Sequence, residues 1–169
     1  MGIRAAVGGA TTLAKIRPVR GPGALLGCAC VLAAFWVAAA PVSAQEQALV
    51  EFGSSLRYLA NASDPGIGMD WTDPAFDDGA WSDGTYGIGY DTAGQAAHLL
   101  DTTVPPGTLS LYTLSTFIIA DAGAIDDLWI GSDHDDGIVV WINGVEVHRS
   151  AEMPPTGALD WDTQPIESE

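Results

Sequence analysis

Two short runs of β-branched and aromatic residues, Ile138-Val139-Val140-Trp141-Ile142 and Val145-Glu146-Val147-His148, are separated by Asn143-Gly144 alone. A two-residue connection of this kind needs positive φ at both positions, which Asn and Gly tolerate, so the pair predicts a tight type I′ hairpin. Ile138, Val140 and Ile142 share one face of the first strand, and Val139 and Trp141 share the other. All five are apolar, so both faces must be covered. In the return strand Val145 and Val147 are expected to point inward and Glu146 and His148 outward. A central strand followed by a half-exposed one is what a β-sandwich places near a sheet edge.

The rest of the chain agrees with a strand architecture. Leu49-Val50-Glu51-Phe52 and Leu56-Arg57-Tyr58-Leu59 alternate as strands do, with Gly53-Ser54-Ser55 breaking between them. Residues 61–94 are rich in Gly, Asp, Pro and aromatics and follow neither a helical period nor a long alternation, so they read as loops packed around anchoring rings. Pro105-Pro106-Gly107 turns the chain into a long strand over residues 109–120, Asp121-Ala122-Gly123 stops it, and Leu128-Trp129-Ile130-Gly131 forms the next. About six strands and no amphipathic helix give an all-β fold. After Met153-Pro154-Pro155 only Asp160-Trp161-Asp162 and a polar tail follow. A sandwich wants further strands to pair its last edge, so the expectation is either a piece of a longer polypeptide or an edge covered by something else.

The first 44 residues have a different character. Arg4, Lys15, Arg17 and Arg20 precede an uncharged, mostly apolar stretch that ends in Pro41-Val42-Ser43-Ala44. Basic, then apolar, then small residues at −3 and −1 is the order of a signal peptide, with cleavage expected after Ala44 and a secreted, periplasmic or cell-surface location for residues 45–169. An uncleaved anchor is the alternative, since the 17 residues from Ala24 to Ala40 are near the lower limit for spanning a bilayer. Leu25-Leu26-Gly27-Cys28 also has the look of a lipobox, but the apolar region continues past it. Both cysteines, Cys28 and Cys30, lie in this segment, so the remainder can form no disulfide. The remainder keeps Arg57 and Arg149 against 22 carboxylates, a formal charge of −20. Such a surface disfavours nucleic acid and anionic membranes as partners, and admits cations such as Ca²⁺.

Four motifs occur in order: Asp73-Pro74-Ala75-Phe76-Asp77-Asp78-Gly79-Ala80-Trp81, Gly84-Thr85-Tyr86-Gly87-Ile88-Gly89-Tyr90, Thr116-Phe117-Ile118-Ile119-Ala120-Asp121, and Asp135-Asp136-Gly137 running into the hairpin. Together they resemble the galactose-binding-like jelly-roll modules of secreted bacterial multidomain proteins, which are similar to the sugar-binding domain of β-galactosidase-type glycoside hydrolases. The resemblance covers residue 49 to the end. It implies a jelly-roll β-sandwich lacking its last strands, and a non-catalytic accessory that binds carbohydrate, packs against neighbouring domains or spaces them apart.

Candidate site residues follow from chemistry. Trp71, Tyr90 and Trp161 lie in loops, and indole and phenol rings stack on the C–H faces of sugars. Phe76 and Trp81 bracket the Asp77-Asp78-Gly79 turn at a spacing that suits packing it onto the sandwich, while Trp129 and Trp141 lie mid-strand. Asp133, Asp135 and Asp136 form the densest carboxylate cluster, on a turn where side chains and carbonyls could converge on Ca²⁺. The cluster resembles the Asp-Asp-Gly turn of PA14-type lectin domains. The other reading is an Asx-type turn in which Gly137 supplies positive φ. His98, His134 and His148 lack zinc spacing, and no phosphate loop or Gly-x-Ser-x-Gly elbow occurs. The expected function is therefore carbohydrate recognition, with a purely structural spacer and a glycoside hydrolase fragment as the alternatives.

Overall fold

A computed structural model describes the backbone of residues 2–8 and 12–18 and, with side chains, residues 46–166. The expected cleavage site, the Cys28 lipobox and the whole apolar stretch lie outside the described residues. The fold is all-β. In chain order the strands are β1 (Gly2–Gly8), β2 (Thr12–Pro18), β3 (Gln47–Val50), β4 (Ser55–Asn61), β5 (Ser82–Thr85), β6 (Ile88–Gly89), β7 (Thr102–Thr103), β8 (Ser110–Ile118), β9 (Ile125–Ser132), β10 (Val139–Ile142) and β11 (Val145–Arg149). Helical structure among the described residues is confined to three single 3₁₀ turns, and none of their helices is long and apolar enough to cross a membrane.

Six strands form one sheet in the order β11-β10-β1-β8-β4-β5, three form a second in the order β3-β2-β9, and β6 and β7 pair in parallel. The first sheet carries apolar residues on both faces because β8 and β10 are central. Leu111 and Phe117 of β8 join Val50, Leu56, Tyr86, Ile88 and Val104 in a core that reaches to the second sheet. The opposite parity, Tyr112 and Leu114, packs with Val139, Trp141, Trp71, Trp81 and Met153 in an aromatic cluster. Strand β10 divides in the same way, with Val140, and Ile138 just before the strand, packed near Ile130 on the other side. The long strand and the two-faced hairpin strand thus match the expectation from sequence.

The hairpin turn also forms as expected, with φ of 50° at Asn143 and 80° at Gly144. The return strand forms too, as β11, but its valines do not point inward. Val145 is 64 % exposed and Val147 is 45 % exposed, and Glu146 and His148 are exposed as well. Strand β11 is the edge of its sheet, and its register slips at Val140/Trp141, so alternation there has no core to face.

Both arginines beyond residue 44 clamp loops. Arg57 donates to Asp83 Oδ1 at 2.6 Å and to the carbonyls of Asp78 and Gly79 at 2.9 and 3.1 Å. This holds the Asp77-Asp78-Gly79 turn, which Phe76 and Trp81 flank in an edge-on ring contact at 5.6 Å. Arg149 grips Glu146 through two bonds of 2.8 and 2.7 Å and reaches the carbonyls of Pro154 and Gly157. These bonds hold the Glu146 carboxyl below its ordinary range. A depressed folded pKa gives stabilisation that is present at neutral pH and is lost as pH falls through the folded value, below about 4.3. Thermal melts of Glu146→Gln should therefore show a smaller loss of Tm on acidification than wild type. Parallel Tm against pH curves would remove the ion pair from the account.

Candidate functional site

A cleft of about 880 Å³ opens beside the aromatic cluster, and three segments wall it. The first is the loop after β6. Asp91 accepts from the backbone amides of Ala93, Gly94 and Ala96 at 2.8, 2.8 and 2.6 Å. Desolvation would raise this carboxyl, but the amides outweigh it and hold the group below its ordinary value. One side chain thus organises a loop that has almost no apolar anchor. Tyr90, 43 % exposed, stands at its start and lines the cleft.

The second wall is the turn between β9 and β10. Asp133, Asp135 and Asp136 all line the cleft, together with His134. His134 Nδ1 lies 3.0 Å from Ser132 Oγ, and its Nε2 lies 3.7 Å from Glu152 Oε2. Desolvation pushes the Asp136 carboxyl above its ordinary value, and the charge of Asp135 adds to the effect. Gly137 does not have the positive φ expected of it. A Cβ there would stand 2.5 Å from Met153 Sδ, so close approach to the core explains the glycine better than backbone conformation does. Among the described residues no three His, Cys, Asp or Glu side chains converge as a metal-binding group.

The third wall is the segment after β11. Ser150 ties it to the start of β10 in both directions, its amide donating to Ile138 O at 2.9 Å and its Oγ accepting from Ile138 N at 3.1 Å. Arg149 then fixes the carbonyls at Pro154 and Gly157, and the chain returns to the cleft at Trp161. Trp161 is half-buried and packs against the aromatic cluster.

The floor is the cluster itself. Trp71 is only 1 % exposed, stacked on Tyr112 at 4.3 Å with 9° between planes, and edge-on to Trp141 at 5.3 Å. Its Nε1 is buried without a hydrogen-bond partner. An unmade buried donor costs about 1–3 kcal/mol. Burial pushes the Tyr112 phenol up, and the nearby charges of Asp64, Asp160 and Asp162 add to this. The cleft therefore combines an aromatic floor with an acidic rim.

All six residues singled out from sequence line this one cleft, although they come from parts of the chain up to 90 positions apart. They are not equivalent. Tyr90 and Trp161 keep accessible surface, whereas the face of Trp71 is taken by Tyr112. Tyr112 and Trp141 belong to the floor as well, and what marks them in the sequence is strand parity: they sit on the aromatic face of β8 and β10. Trp129 was expected mid-strand and is 59 % exposed on β9, outside the cleft. Many of the other carboxylates build turns. Asp64, Asp73, Asp77 and Asp121 each accept from the amide two residues on, as Asx turns do.

No protein-family model, no curated protein and no solved structure matches this chain.

Proposed function

We propose that residues 45–169 form a non-catalytic, extracytoplasmic carbohydrate-recognition module of galactose-binding-like jelly-roll type. It would follow a cleaved leader of 44 residues and serve as an accessory part of a larger secreted protein. The observation that carries this reading is the cleft: two rings that keep accessible surface, Tyr90 and Trp161, line it together with an aromatic floor and an acidic rim. Rings take the apolar faces of a sugar, and carboxylates accept from its hydroxyls. The acidic rim fits a neutral glycan and repels anionic ones. Calcium enters as a ligand that the residues Asp133, Asp135 and Asp136 would share with a sugar.

A glycan array and affinity gels, each run with Ca²⁺ and with EDTA, test this directly. Tyr90→Ala and Trp161→Ala should each weaken binding by about tenfold, roughly 1.4 kcal/mol, with Tm little changed for Tyr90→Ala and lowered for Trp161→Ala, whose ring also packs on the cluster. Background binding under both conditions would defeat the recognition reading. A difference confined to the Ca²⁺ arm would place the ion in the site.

A spacer or docking role has its own supporting observation. Val145, Val147, Trp129 and Ile118 are exposed apolar residues outside the cleft, surface that a neighbouring domain could cover.

A further inference from the structure

Residues 2–18 hold a position that a dispensable leader does not need. Strand β1 lies between β8 and β10, in register with seven residues of the first and four of the second. Strand β2 lies between β9 and β3, in register with seven and three. Without β1 the large sheet parts into β10-β11 on one side and β8-β4-β5 on the other. Without β2, neither β3 nor β9 has a ladder partner among the described residues.

The residue pattern of this segment matches the slots. Ala5, Ala6, Val7 and Gly8 are registered against Ser115, Leu114, Thr113 and Tyr112 on one side and Ile142, Trp141, Val140 and Val139 on the other. All of these neighbours but Ile142 are buried, so the slot between them accepts small and apolar residues. The charged positions fall elsewhere. Arg4 is registered opposite Thr116, Lys15 opposite Trp129 and Arg17 opposite Asp127, and all three of those partners are exposed. Only the position of Arg4 is selective, since it stands just outside the buried part of the first slot, whereas β9 offers β2 no buried neighbour in any register.

We propose that residues 46–166 are a strand acceptor with one slot in each sheet, and that residues 2–18 are a dissociable two-strand donor that fills both. Twenty-seven residues separate Pro18 from Glu46, so a cut between them leaves donor and acceptor whole. Freed of its donor, the acceptor takes up an extended strand with small apolar residues opposite β8 and β10, by strand addition along the exposed edges.

The test starts from the folded full-length chain carrying a site-specific protease site within residues 19–45. After cutting, the fragment containing residues 2–18 should stay bound, and Tm should become dependent on protein concentration. A labelled peptide of residues 2–18 should exchange into the cut protein saturably and one to one, while a scrambled peptide should not. Ala6→Pro in that peptide removes an N–H from the central ladder and should weaken binding about tenfold or more. Loss of the fragment on cutting, with Tm and amide protection of β8 and β10 unchanged, would overturn the proposal. So would a cut chain that the labelled peptide neither binds nor stabilises. Glycan binding is read separately, so failure of either idea leaves the other standing.

Discussion

Trp71→Ala unfolds at markedly lower urea concentration than wild type, with a loss of about 3–5 kcal/mol. The ring is stacked on Tyr112, edge-on to Trp141 and 6.2 Å from Trp81, so its removal strips contacts from three aromatic neighbours at once. None can move in to fill the space: Tyr112 is fixed on a strand paired on both sides, Trp141 lies in a hairpin strand, and Trp81 follows the turn that Arg57 clamps. The cavity term therefore adds to the transfer term. Folded domains hold only about 5–15 kcal/mol in all, so this one change removes a large part of it. Trp71→Phe should cost less than Trp71→Ala, because both remove the unpartnered Nε1 but Phe keeps a ring in the space and so leaves a smaller cavity. Paired urea titrations decide the matter: an alanine variant within about 1 kcal/mol of wild type would mean that the cluster is not a core.

Gly87→Ala has the second-largest expected effect, about 3 kcal/mol or more. A Cβ at this position would stand 1.9 Å from the carbonyl oxygen of Leu99 and 2.9 Å from Phe52 Cε2. The first obstacle is backbone and cannot rotate away. Retreat is blocked from the other side, since Gly87 O accepts from the amides of Asp101 and Thr102 at 2.8 and 3.0 Å. The chain must therefore break the β6–β7 pairing or distort the loop that carries Tyr90. Amide exchange should rise at Thr102 and Val104, and glycan binding should fall together with stability. A variant with native exchange rates at these amides would show that the approach is slacker than the geometry states.

The strand content was readable from residues because each signal was local. Asn143-Gly144 specifies its turn whatever surrounds it, and five consecutive apolar residues require cover on both faces wherever the strand lies. Val145 and Val147 were misread because their exposure depends on what stands beside β11, and nothing within Val145-Glu146-Val147-His148 says that it is an edge. Trp71 shows the converse. A tryptophan in an irregular, Gly- and Asp-rich stretch suggests surface, yet the stretch folds over the sheet and the ring becomes its plug. The cleft was legible as a list of residues but not as a place, since Tyr90, Asp133 and Trp161 meet only after loops held by Asp91, Ser150 and Arg149 have closed. Residues 2–18 are the sharpest case: nothing within them names their partners, since β1 pairs with β8 and β10 and β2 with β9, all more than ninety positions away.

The two arginine clamps have a consequence for how many copies can share a surface. Arg57 and Arg149 are the only Lys or Arg residues after Arg20, and each spends its charge on a carboxylate and loop carbonyls of its own chain. Most of the acidic groups are left uncompensated, so neighbouring copies repel one another at separations within about one Debye length, roughly 8 Å at physiological ionic strength. Copies held side by side would keep a minimum lateral distance at low salt and close ranks as salt rises.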